Sequence, residues 1–265
     1  MTDSLSRFIT HARDEGPLRA THMAVAHLRG VGRERLEPAR IRAVAHTRSS
    51  VLHQLSPRRY TDADPFRLLS IDPHSVRWSQ RPYDHDRLST DRFGRFEKRE
   101  NIAKVVGGSW DETTRPWQEL SFVEGFSEHF VEGVPWEQTD FFRAVTRDDA
   151  ALNRRWEGSR WDRLSNEEAV LEELRRFDTL YETIREEGYA RTSFFDEVTV
   201  NVARDGRLIH NNSGSHRLCL AQILDLDRIP ARVLLRHRAW QGRRNAIRAG
   251  TVDGVSSHPD LVDVL

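Results

Sequence analysis

The sequence predicts a mixed α/β (α+β) fold built around a small mixed sheet. Three observations carry the prediction. Val170, Leu171, Leu174, Phe177, Tyr181 and Ile184 recur at helical spacing over about 166–187. Val198, Val200 and Val202 alternate as a strand and run into Arg204-Asp205-Gly206, a hairpin turn. A second strand, Arg207–His210, then passes through a short loop into a helix opened by Gly214-Ser215-His216-Arg217.

The remaining elements follow in chain order. Residues 1–60 read as an N-terminal helical segment, with Leu18, Met23, Val25, Leu28 and Val31 in one apolar set and Ile41, Val44 and Leu52 in another. Leu68-Leu69-Ser70-Ile71 reads as a strand ending at Asp72-Pro73, and Arg81–Arg99 as loop, because Pro82, Asp84 and Asp86 disfavour regular structure. Lys104-Val105-Val106 is a strand end entering a turn at Gly107-Gly108-Ser109. Helical pieces are predicted around Phe122–Phe130 and Glu137–Val145. The long helix begins at a capping box of Ser165 and Glu168 and stops at Gly188. After the helix through Leu218, Ala221, Ile223 and Leu224, Ile229-Pro230 leads into a last strand, Ala231–Leu235, and a short helix over Trp240–Ala249. This divides the chain into a helical segment 1–60, a domain 61–250 with a helical insertion at about 112–160, and a tail 251–265.

Composition narrows the function classes. Of 265 residues, 37% are hydrophobic, enough for a core. No apolar run approaches the roughly 18 residues of a membrane span, and the N-terminus has no secretory apolar region, so cytoplasm is the expected location. A single cysteine, Cys219, excludes an internal disulfide and a multi-thiolate zinc site. Forty-one basic residues balance 41 acidic ones, which disfavours a nucleic-acid partner without excluding a local patch. Nine arginines against five acids in the first 50 residues leave peripheral contact with an anionic membrane as a minor reading of the N-terminal helices. Only Lys98 and Lys104 are lysines, so a lysine here carries more information than an arginine.

The segment from Gly214 is the strongest candidate site. A helix start offers free N–H groups and the positive end of the macrodipole to an anion. His216 and Arg217 add side-chain donors, and His210 lies on the strand leading in. The bland alternative is a turn glycine followed by a surface cation. The order helix, strand, Asp-Gly hairpin, strand, Gly-x-His-Arg, helix, Ile-Pro, strand resembles the ParB/sulfiredoxin superfamily. The match is best over Leu180–His237, a little over a fifth of the chain. Thr183–Tyr189 is similar to the family helix that ends in glycine, and Gly206–Ile209 with Gly214–Ala221 to its signature loop and helix. Leu226, Ile229, Pro230 and Val233 are similar to its closing strand. The resemblance implies that Gly214, Ser215, His216 and Arg217 contact nucleotide phosphates. Two departures limit it. Ser215 stands where sulfiredoxins carry their nucleophilic cysteine, so sulfinic acid reduction is not expected. Only 28 residues follow His237, too few for the helix-turn-helix domain of the partition proteins.

What the resemblance then implies is phosphoryl transfer from ATP or ADP to a small molecule. CTP is an alternative nucleotide, and Mg²⁺ is a cofactor if the chain is catalytic. The other implied readings are a nucleotide-binding module without turnover and a nucleic-acid-binding or nuclease protein. Phosphoryl transfer needs cations at the phosphates and a carboxylate near the acceptor. His216, Arg217 and Lys104 are the candidate cations, Gly107, Gly108 and Ser109 offer amides, and Asp72 or Asp111 is the candidate base or Mg²⁺ ligand. A P-loop order is absent. Trp110, Trp117, Trp136, Trp156 and Trp161 could stack on a base, although core packing is their commoner use. Asp84-His85-Asp86 reads as a polar loop, and the twelve histidines show no metal-ligand spacing.

Overall fold

The computed structural model describes residues 39–80, 98–146, 166–190, 197–211, 213–252 and 257–265. The chain divides into two compact units, Met1–Val44 and Ala45–Leu265. Of the first, residues 39–44 are described and are helical. The second is a mixed α/β unit, as predicted, with one seven-stranded sheet flanked by helices.

The strands are β1 (Leu68–Ile71), β2 (Trp78–Ser79), β3 (Lys104–Val106), β4 (Arg115–Pro116), β5 (Val198–Val202), β6 (Leu208–His210) and β7 (Ile229–His237). Their order is β1-β7-β5-β6-β2-β4, and β3 also pairs with β7. Pairs β1/β7, β5/β6 and β2/β4 are antiparallel, while β2/β6, β3/β7 and β5/β7 are parallel. The helices of seven residues or more in the second unit are α1 (Ser121–Phe130), α2 (Asp140–Thr146), α3 (Glu167–Glu187), α4 (Ser215–Ile223) and α5 (Arg238–Arg248). Among the described residues no helix is long and apolar enough to cross a membrane.

Local chemistry accounts for the elements. In α3 the periodic set buries Val170, Leu171, Leu174, Phe177 and Ile184. Its N-cap is Asn166, not Ser165: Asn166 Oδ1 accepts from the Ala169 amide at 2.9 Å. Asn is as good a cap as Ser, and it stands one residue closer to the helix. Ser165 lies outside the described residues. In α1 the packing is closer than its sequence suggests. A Cβ on Gly125 would sit 2.3 Å from Phe141 Cβ, so this glycine lets α1 and α2 meet nearly backbone to side chain.

One face of the sheet carries Val198, Val200, Val202, Leu208, Ala231 and Val233 into a core with Trp117, Phe122, Phe126, Leu174, Phe177, Leu218 and Trp240. The predicted single buried face of β5 is half the picture, because all five of its residues are buried. Thr199 and Asn201 alternate with the valines onto the opposite face and are also fully covered. There both hydrogen-bond to the Asn211 side chain. The last residues pack as well. Leu261 and Asp260 are fully buried, and Asp260 binds Arg236 on β7 and Trp240 Nε1 on α5.

Candidate functional site

Strand β6 ends at His210, and the chain turns through Ser213 and Gly214 into α4. Gly214 is the N-cap, with a left-handed φ of 74°. A Cβ there would lie 2.6 Å from Val198 Cα and N and 2.9 Å from the Glu197 carbonyl carbon. The glycine is therefore required by the backbone of β5, whatever α4 binds. Its effect is to press the start of α4 against the edge of the sheet core.

Ser215, His216 and Arg217 form the first turn of α4 and are half-buried. Their side chains diverge. His216 turns inward to an aromatic nest, with ring centroids 5.5 Å from Phe122, 5.5 Å from Phe126 and 4.4 Å from Phe177. It is a packing residue joining α4 to α1 and α3. Arg217 goes instead to Tyr189, its guanidinium carbon 5.8 Å from that ring's centroid. Burial pushes the Tyr189 phenol up to about 12, against the opposing pull of the Arg217 charge, so the phenol stays neutral.

Ser215 Oγ lies 3.4 Å from His210 Nε2, a pairing that suggests a nucleophile and its base. The same nitrogen lies 3.1 Å from the Ser213 carbonyl oxygen. A carbonyl only accepts, so Nε2 carries the proton and donates. In this tautomer Nε2 has no lone pair to take the Ser215 proton. Cys219, one turn on, is buried, and burial pushes its thiol far above the usual range. Neither side chain is poised as a nucleophile.

The second group of candidates lies elsewhere. Lys104 pairs with Leu235 on one edge of β7, while Val198, which Gly214 touches, pairs with Ala231 on the other. Four residues along a strand and two inter-strand steps are about 13 Å and about 9.6 Å, so the backbones stand roughly 16 Å apart. Lys104, His216 and Arg217 are not brought together. Lys104 is half-buried beside Arg48 and Glu100. Burial, with the Arg48 charge adding to it, holds its ammonium below the usual lysine range. Gly107, Gly108 and Ser109 sit at the other end of β3, over the start of α5. Gly108 presents its carbonyl, which accepts from Arg204 Nη2 at 2.8 Å and His237 Nε2 at 3.0 Å. Gly107 is covered by the Arg238 guanidinium, and the Ser109 carbonyl accepts from the Glu112 amide at 2.9 Å. The contacts of this loop are thus made through its Gly108 and Ser109 carbonyls.

The two candidate carboxylates are committed to structure. Asp72 caps the turn Pro73–Ser75, accepting from the His74 amide at 2.7 Å. Asp111 is fully buried and grips Arg204, with Oδ2 2.8 Å from Nε and Oδ1 2.7 Å from Nη2. Burial works against its charge, but hydrogen bonds from the Arg204 side chain and backbone prevail and hold the carboxyl below the usual range. Trp110, Trp117 and Trp136 are core residues, each at most 3% exposed. Trp156, Trp161 and Asp84-His85-Asp86 lie outside the described residues. Among the described residues no group of three His, Cys, Asp or Glu could hold a metal ion.

Sequence reasoning missed the residues that hold the site in place. Thr199 binds Ser213 from the sheet face opposite the core, and its hydroxyl donates in turn to the Asn211 side chain. A polar residue alternating with valines in β5 was the available signal. Comparison with family models, with curated proteins and with solved structures finds no match for the chain.

Proposed function

We propose that this chain is a nucleotide-binding module whose α4 N-terminus takes a phosphate group, in the manner its likeness to the ParB/sulfiredoxin superfamily implies. The observation that carries the reading is the diverging first turn of α4. Gly214 locks it onto β5, Arg217 lies half-buried beside Tyr189, and the amides of residues 215–217 point along the helix axis. Arg217 supplies the charge and a planar fork of donors suited to a phosphate. Lys104 belongs to a different part of the sheet, and His216 packs inward, so neither enters the reading. Binding is favoured over phosphoryl transfer because Asp72 and Asp111 are engaged in a cap and an ion pair. ATP, ADP and CTP remain the nucleotides to test.

Thermal unfolding with inorganic phosphate, ADP, ATP and CTP, each with and without Mg²⁺, tests the reading. A ligand at a hundred times its Kd adds about 2.7 kcal/mol, a rise in Tm of roughly 5–10 °C for a unit of this size. Arg217→Ala is expected to abolish the rise and Lys104→Ala to leave it intact. No rise with any of the four ligands, or a rise that survives Arg217→Ala, overturns the proposal.

A further inference from the structure

Residues 257–265 are held as a bound peptide is held, through side chains. The Leu261 and Val264 amides bond within the segment itself, to the His258 and Leu261 carbonyls at 2.9 Å each. His258 Nε2 donates to the Gly206 carbonyl at 2.8 Å, and its Nδ1 accepts from the Asp260 amide at 3.1 Å. Asp260 accepts from Arg236 Nε at 2.8 Å and from Trp240 Nε1 at 2.9 Å. Asp263 accepts from both terminal nitrogens of Arg244, at 3.0 and 2.8 Å, and Arg67 Nη2 lies 3.0 Å from its Oδ1. Leu261, between the two carboxylates, is fully buried in the core, while Val262 and Leu265 are exposed. The recognised pattern is Asp-Leu-x-Asp.

The surface beneath suits an acidic occupant. Arg67, Arg236, Arg244 and Arg248 line it. Among the described residues three carboxylates pair with them, Asp260 and Asp263 from the segment and Asp62 from the domain. With the segment gone, four guanidiniums would face one carboxylate. Arg236 Nη1 and Arg244 Nε are buried with no hydrogen-bond partner among the described residues, so the surface has donors beyond those its occupant uses. Burying charges strips their hydration, and well-packed apolar residues hold a segment at least as firmly. Paired charges instead select which segment docks. They also ease its departure: water solvates the freed carboxylates, and only Leu261 and part of Val264 lose apolar cover.

We infer that the face carrying Arg67, Arg236, Trp240 and Arg244 is a docking site for an acidic peptide of the pattern Asp-Leu-x-Asp. Residues 257–265 are its ligand in cis, and they leave it without unfolding of the sheet. Two measurements on the full chain test this. In native-state hydrogen exchange the Leu261 and Val264 amides are expected to open about a hundredfold or more often than the β7 amides. A labelled peptide of residues 257–265 is expected to bind D260N/D263N at least about tenfold more tightly than the native chain, whose site is already filled. The same peptide with both aspartates changed to asparagine is expected to bind neither. Should D260N/D263N fail to fold, Leu261→Ala loosens the segment while keeping its carboxylates and takes its place. Leu261 and Val264 amides that open only as often as β7 overturn the inference, as does a peptide that does not bind the loosened chain. The exchange measurement needs no variant, and it decides alone if neither variant folds.

Discussion

Replacing Asp260 by asparagine should cost this domain more than any surface change. Asp260 is fully buried among three arginines, Arg236, Arg244 and, at 3.8 Å from Oδ1, Arg67. Its Oδ2 lies 2.8 Å from Arg236 Nε, its Oδ1 2.5 Å from Arg236 Nη2, and Arg244 Nη1 is 3.6 Å from Oδ2. Burial works to raise its pKa, but the Arg236 charge and hydrogen bonds, with Arg244 and Trp240, bring it down to about 2. Set against the ordinary 3.8 of an unfolded chain, this difference is worth about 2.5 kcal/mol at neutral pH, at about 1.36 kcal/mol per tenfold in proton affinity. The neutral amide would also leave Arg236 and Arg244 short of a buried counter-charge, so the whole loss should reach about 3–5 kcal/mol. For a unit of this size that lowers Tm by roughly 10 °C. Because the folded pKa is depressed, the stabilisation is complete above about pH 4 and is lost as pH falls toward 2. Urea unfolding of the native chain and D260N at several pH values measures both features. A difference under about 1 kcal/mol at pH 7, or one that does not shrink between about pH 4 and 2, refutes the reasoning.

Two further substitutions probe the packing that places the site. Gly214→Ala puts a Cβ within 2.6 Å of the β5 backbone at a φ of 74°; neither can relax without moving β5 or α4. A loss of at least about 2 kcal/mol in chemical unfolding is expected from that strain and overlap, and a neutral result would mean that the contact is not rigid. Phe126→Ala removes a fully buried ring that touches Phe122, Phe130, Trp136, Phe177 and His216. It should cost about 3–5 kcal/mol by equilibrium denaturation and free the His216 ring, visible as a shifted imidazole resonance.

Much of the fold is legible residue by residue. The helical period from Val170 to Ile184, the valine alternation of β5 and the Asp205-Gly206 turn are local patterns, and each became the element it predicts. Strand β1 falls on Leu68–Ile71 as read. The short strands β2 and β4 have no such pattern, since two residues cannot display a period and their pairing depends on β6. The candidate site was legible only in part. Gly214, His216 and Arg217 stand at a helix start as read, but Lys104 was grouped with them by residue type, which carries no distance, and the inward turn of the His216 ring is set by its aromatic neighbours.

By itself, then, the sequence determined the longer helices and strands, because side-chain periodicity and turn chemistry act over a few neighbouring residues. The tertiary structure decided which side chains meet. Strand pairing placed Lys104 on the far edge of β7 from Gly214, and the aromatic core drew His216 inward while leaving Arg217 beside Tyr189. The same packing tied Asp111 to Arg204 across 93 positions of chain. These outcomes follow from burial and pairing between distant segments, which local pattern does not encode.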